Sequence, residues 1–145
     1  MIQILSALAT AFIVITFTIL LSKYFSAKLI AATVLCSIAF IYVGFSLKGN
    51  TVNSIVLEVM VTIVFYFIAI VGYVRNNALS AYGIVLHGIW DMLHHKALLV
   101  KTDIPDYWPL YCLLVDIILG VYFFLVFSKK KNKKFASNTS ILEEF

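Results

Sequence analysis

Five apolar runs dominate this chain: residues 2–24, 29–47, 54–74, 79–100 and 107–127. Each is about twenty residues long, enough at 1.5 Å per residue to cross the ~30 Å hydrocarbon core of a bilayer. Inside hydrocarbon a backbone must satisfy its own hydrogen bonds, which leaves only helices and closed barrels. Runs of this length select helices. The composition agrees: 63% of residues are hydrophobic and 12% charged, with mean hydropathy +1.02. A soluble domain carries about twice that share of charge.

The reading is an all-α polytopic membrane protein, a five-transmembrane-helix bundle over residues 1–128. A basic, then polar, cytoplasmic tail follows at 129–145. The first run lacks the positively charged start of a signal peptide, because no Lys or Arg precedes Lys23. It is expected to stay as a helix. Lys23, Lys28, Arg75 and the lysine cluster at 129–134 fall on one side of such a bundle, and Lys48, Lys96 and Lys101 on the other. The positive-inside rule then puts the N-terminus outside and the C-terminus in the cytoplasm. The net charge of +4 sits mostly in that terminal cluster, beside anionic lipid, and does not suggest nucleic acid. Cys36 and Cys112 lie in apolar runs without metal-motif spacing, so neither a disulfide framework nor a zinc finger is expected.

The fourth run breaks the apolar pattern. His87-Gly88-Ile89-Trp90-Asp91-Met92-Leu93-His94-His95 contains all three histidines of the chain and a carboxylate. On a helix, His87, Asp91 and His94 share one face, at steps of four and three residues, and His95 lies beside it. Depth places other costly groups near this face. Counting from the outer surface, His87 falls at roughly 16 Å, Asp116 at 13 Å, Asp91 at 10 Å and Cys112 at 7 Å. Glu58, at about 6 Å, is level with His94 and His95. An ionised carboxylate facing lipid costs at least ~2.5 kcal/mol, so these groups should converge inside the bundle. Helices three, four and five supply them. Helices one and two offer no ionisable group at depth except the Cys36 thiol and serve as cover.

Three uses compete. In the first, His87, Asp91, His94 or His95, and Glu58 or Asp116 bind a divalent metal, with zinc or iron favoured by the imidazole and carboxylate set. An open coordination position would let the ion activate water or dioxygen for a lipid-soluble substrate, with Glu58 or Asp116 as the catalytic proton carrier. In the second, the cluster is a polar clasp in which Asp116 accepts from His87 and Glu58 from His94 or His95. In the third, it senses or conducts protons, because histidine titrates near neutral pH. A Cys112 nucleophile beside His87 is a weaker reading, since a lone membrane cysteine usually serves as a small apolar residue. Tyr107, Trp108 and Tyr111 form an aromatic belt that can roof the site, stiffened by Pro105 and Pro109. Expected partners are the lipid bilayer and a hydrophobic small molecule. A homodimer, or a place as a small subunit or assembly factor of a larger membrane complex, remains open.

The His87–His95 stretch resembles, in part, the histidine boxes of membrane fatty-acid desaturases and hydroxylases. Asp91 stands where the first box has its second histidine, and only His94-His95 follow the end of the second. Those families use many more histidines than the three here, so the resemblance does not imply a complete di-iron site within one chain. The wider pattern, His87-Gly88-x-Trp90-Asp91-x-x-His94-His95 followed by Pro105-x-x-Trp108-Pro109-x-x-Cys112-x-x-x-Asp116, resembles an uncharacterised family of small bacterial integral membrane proteins. That resemblance implies only that these positions belong together, with no activity to transfer; the expected location is a bacterial inner membrane.

Overall fold

A computed structural model describes residues 2–48, 51–94 and 104–142, with side chains to residue 129. It contains five helices and, among the described residues, no strand: α1 (Ile2–Leu21), α2 (Ala27–Ser46), α3 (Val52–Val74), α4 (Asn77–Leu93) and α5 (Trp108–Leu142). Polar caps set the starts of the middle three. The side chain of Ser26 accepts from the Leu29 N–H, Thr51 from Ser54 and Asn76 from Ala78. Each cap satisfies a backbone donor that the first turn leaves unpaired.

Four helices, α1, α2, α3 and the first part of α5, are long and apolar enough to cross a membrane. The fourth is shorter. It has 17 residues and is thus about 26 Å long. The sequence expectation extends this run to residue 100; the structure caps it at His94, whose N–H bonds back to the Asp91 and Met92 carbonyls. His95, Lys96 and Lys101 lie outside the described residues. At the other end, α5 passes beyond the expected stop near residue 127 and continues through the lysine cluster to Leu142. No Gly or Pro interrupts that stretch, and lysine is a good helix former, so nothing local ends the helix there.

The fourth helix is central. It packs chiefly against α5 and also contacts α3 and α2, while α2 lies along α3. Small residues let these backbones approach: Ala31, Ala39, Ala69 and Ala81 are buried in the core with Leu35, Ile84, Leu119 and Phe123. Such residues suit helix packing in lipid, where close van der Waals contact replaces the hydrophobic effect. At the α4–α5 seam, a Cβ on Gly88 would stand 3.0 Å from the Asp116 Cβ, and one on Gly120 would collide with Val85. The first helix is the outlier. It rests on α5 and barely touches α2. One polar clasp ties α1 to α5, the Tyr111 hydroxyl donating to Thr10 Oγ1 at 2.7 Å. At the opposite end, the Lys28 ammonium sits 5.1 Å from the centre of the Tyr73 ring, joining the start of α2 to the end of α3.

Candidate metal centre

The central helix carries His87, Asp91 and His94 on one buried face. Its neighbours bring Glu58 from α3 and Asp116 from α5, and both are buried as well. The expected convergence of helices three, four and five is therefore present. It divides into two parts.

The first part joins α4 to α5. His87 Nδ1–H donates to Asp116 Oδ2 at 2.8 Å, and the same nitrogen lies 3.6 Å from Asp91 Oδ1. One ligand atom from each of His87, Asp91 and Asp116 falls within 4.8 Å of the others. Around a tetrahedral ion with bonds of about 2.0–2.2 Å, ligands stand roughly 3.4 Å apart. The His87–Asp91 separation already matches that spacing; an ion would take the place of the His87 Nδ1 proton, so the hydrogen bond to Asp116 would give way to coordination and the two atoms would part slightly. This buried group can hold a metal ion.

Asp91 is the unusual member. It is fully buried, and neither carboxylate oxygen has a hydrogen-bond partner among the described residues. Burying a carboxylate costs several kcal/mol unless a proton, a donor or a cation compensates it. His87 is close but spends its hydrogen bond on Asp116. The Tyr42 hydroxyl and the Cys112 thiol stand within electrostatic reach of Asp91, and the hydroxyl is itself buried and unpartnered.

The second part joins α4 to α3. His94 Nε2 and Glu58 Oε1 are 2.6 Å apart, and His94 Nδ1–H donates to the Trp90 carbonyl at 3.2 Å. A carbonyl only accepts, so Nδ1 is the protonated nitrogen. The short contact to Glu58 then holds one proton between imidazole and carboxylate. The Trp90 ring packs edge-on against His94 at 5.3 Å and supports the histidine. Glu58 and His94 pair with each other and stand apart from the three-ligand group.

Tyr42 bridges the two parts. Its ring lies 4.3 Å from that of His94 and 6.0 Å from that of His87. This corrects the expectation that helix two is only cover. A tyrosine in an apolar run reads as an ordinary packing residue, but this one is completely buried, and a large buried side chain with a polar tip needs a polar neighbour.

Beside the first part lies a cavity of about 770 Å³ between α1, α2 and α5. Its walls are apolar along most of its length, and His87, Asp116, Cys112 and Tyr42 contribute to the lining. Trp108 and Tyr111 of the expected aromatic roof also line it, whereas Tyr107 does not.

A family model described as a family of unknown function, DUF6010, matches residues 2–129. The chain belongs to that family. The DUF6010 match spans α1 to α4, α5 as far as residue 129, and every residue of the two polar groups, and it bears out the expectation of an uncharacterised family. No curated protein and no solved structure matches the chain.

Proposed function

We propose that this protein is an integral membrane metalloprotein in which His87, Asp91 and Asp116 bind a divalent cation inside the helix bundle. The observation that carries the reading is the Asp91 carboxylate, fully buried and without a hydrogen bond of ordinary length, with His87 Nδ1 3.6 Å away. One imidazole and two carboxylates suit zinc or iron. Three protein ligands leave coordination positions free, and the chemistry such an ion supplies is activation of water or dioxygen. The adjoining cavity supports use on a lipid-soluble substrate. Asp116 is then a ligand and not a free acid or base, and Glu58 acts on the ion's surroundings through His94.

The accompanying topology has α4 as a fifth, shorter span, the N-terminus outside and the C-terminus in the cytoplasm, in a bacterial inner membrane. Support comes from the lysine distribution and from the central packing of α4. A helix of about 26 Å crosses a thinner bilayer or one that yields locally, at a modest cost per ångström of mismatch.

Elemental analysis of detergent-purified protein tests the proposal. Near-stoichiometric zinc or iron is expected in the wild type and none in His87→Ala or Asp91→Ala. A wild type that holds no metal even after reconstitution overturns it. A second reading then takes over, favoured by the two histidine–carboxylate hydrogen bonds at 2.6 and 2.8 Å: a proton relay or sensor running through His94–Glu58 and His87–Asp116. Proton uptake into dye-loaded liposomes measures it.

A further inference from the structure

The cavity beside the metal centre has a shape that narrows what can occupy it. Along α2 its lining runs from Leu29 to Tyr42, which is about 20 Å of helix. That length exceeds one leaflet of a ~30 Å hydrocarbon core. Its flank is open, because α1 barely touches α2. Ile13 and Phe17 line the cavity and are nevertheless 64% and 61% exposed, so this side faces the surrounding hydrocarbon. The Tyr111–Thr10 hydrogen bond ties α1 to α5 near the Trp108 end, so the open side is the one between α1 and α2. Thr33 and Ser37, also in the lining, spend their hydroxyls on backbone carbonyls of their own helix, leaving few polar groups in the channel.

Charge excludes one class of occupant. Among the described residues no lysine or arginine lines the cavity, and a carboxylate does, Asp116. A free fatty acid drawn in whole would bring its anion towards that carboxylate with no lysine or arginine to offset it, and the charge of a divalent ion there is already balanced by Asp91 and Asp116. A chain whose polar head stays outside meets no such cost.

We propose that this groove takes one hydrocarbon chain of a membrane glycerolipid, admitted sideways between α1 and α2, and lays it past His87 and Asp116. The proposal rests on the metal-centre reading for its purpose but not for its geometry. From Trp108 to Asp116 is about 12 Å of helix, so the polar groups meet an inner segment of the chain and not its head.

Photolabelling tests it. The intact protein is reconstituted into liposomes doped with a phosphatidylethanolamine that carries a diazirine midway along one acyl chain. After irradiation, labelled peptides are mapped by mass spectrometry. Label is expected to concentrate on groove residues of α1, α2 and α5, such as Phe17, Val34 and Val115. Thr33→Trp and Ser37→Trp, which fill the channel from exposed positions, should remove most of it. Val64→Trp, on the lipid-facing side of α3, should not. Label spread evenly over the lipid-facing residues of α3, or unchanged by the two groove variants, overturns the proposal. So does labelling of the groove by a diazirine fatty acid but not by the phospholipid. The same labelling on Asp91→Ala protein separates the two ideas. Groove labelling without metal in the wild type retires the metal reading alone, and metal without groove labelling retires this one alone.

Discussion

Replacing Asp91 by asparagine should separate stability from binding. The wild-type carboxylate is buried with no hydrogen bond of ordinary length, and an unsatisfied polar group costs about 1–3 kcal/mol, more when charged. In chelator-treated protein, Asp91→Asn is therefore expected to melt at a higher temperature than the wild type. Added zinc should raise the wild-type melting temperature, as any ligand selective for the native state does, and leave the variant unmoved. Fluorescence melting in detergent reads both. Tyr42→Phe removes the hydroxyl nearest the site without touching a ligand. Loss of such a supporting group typically weakens metal affinity 10–100-fold, and competition with a chromophoric chelator would show a drop of that order at unchanged helical content. The histidines and carboxylates were legible in the sequence because each is expensive in an apolar run. The clasp reading also paired Asp116 with His87, and Glu58 with His94 or His95; the structure pairs Glu58 with His94. Tyr42 was not legible. Tyrosine is common in membrane helices, and nothing in its neighbours' identities reveals that its hydroxyl ends beside Asp91.

Two helices meet the site through glycine. Gly88 lies one residue after His87, and a methyl group there would press on the Asp116 Cβ and on Leu113. Gly88→Ala should thus push α4 from α5 by a few tenths of an ångström and disturb the 2.8 Å contact between His87 and Asp116. The expected outcome is loss of most bound metal with an unchanged far-ultraviolet dichroism spectrum. The α3–α4 pair can be weighed separately. A double-mutant cycle of Glu58→Leu and His94→Leu should give a coupling of about 1–2 kcal/mol, near the upper end for interhelical hydrogen bonds in membranes. A coupling near zero would mean that the 2.6 Å contact contributes little to the fold. Starts of the middle three helices were readable to within two residues, the apolar runs opening at 29, 54 and 79 and the helices at Ala27, Val52 and Asn77, behind the caps Ser26, Thr51 and Asn76. Ends were not. Hydropathy falls at residue 128 while helix propensity does not, so the membrane run and the helix part company along α5.

Placed in a membrane, the bundle should orient by its lysines. Fusions that report location are expected to put the α1–α2 turn and the tail on the cytoplasmic face and the α2–α3 turn outside. A cytoplasmic α2–α3 turn would invert the whole arrangement, and a tail on the outer face would mean that α4 does not cross. The groove was invisible in the sequence, since it is made by contacts that α1 and α2 fail to form, and an apolar run reads alike whether it meets lipid or protein. That loose first helix has a consequence for how the protein is made. Its main partner is α5, and Thr10 waits for Tyr111, 101 residues later in the chain. At roughly 5–20 residues per second, the ribosome needs about 5–20 s to cover that distance. During this interval α1 must survive as a solitary helix, exposed to the proteases that clear unassembled segments. Its run of aliphatic and aromatic residues, with no charge from Ile2 to Leu21, holds it in the bilayer until its partner arrives.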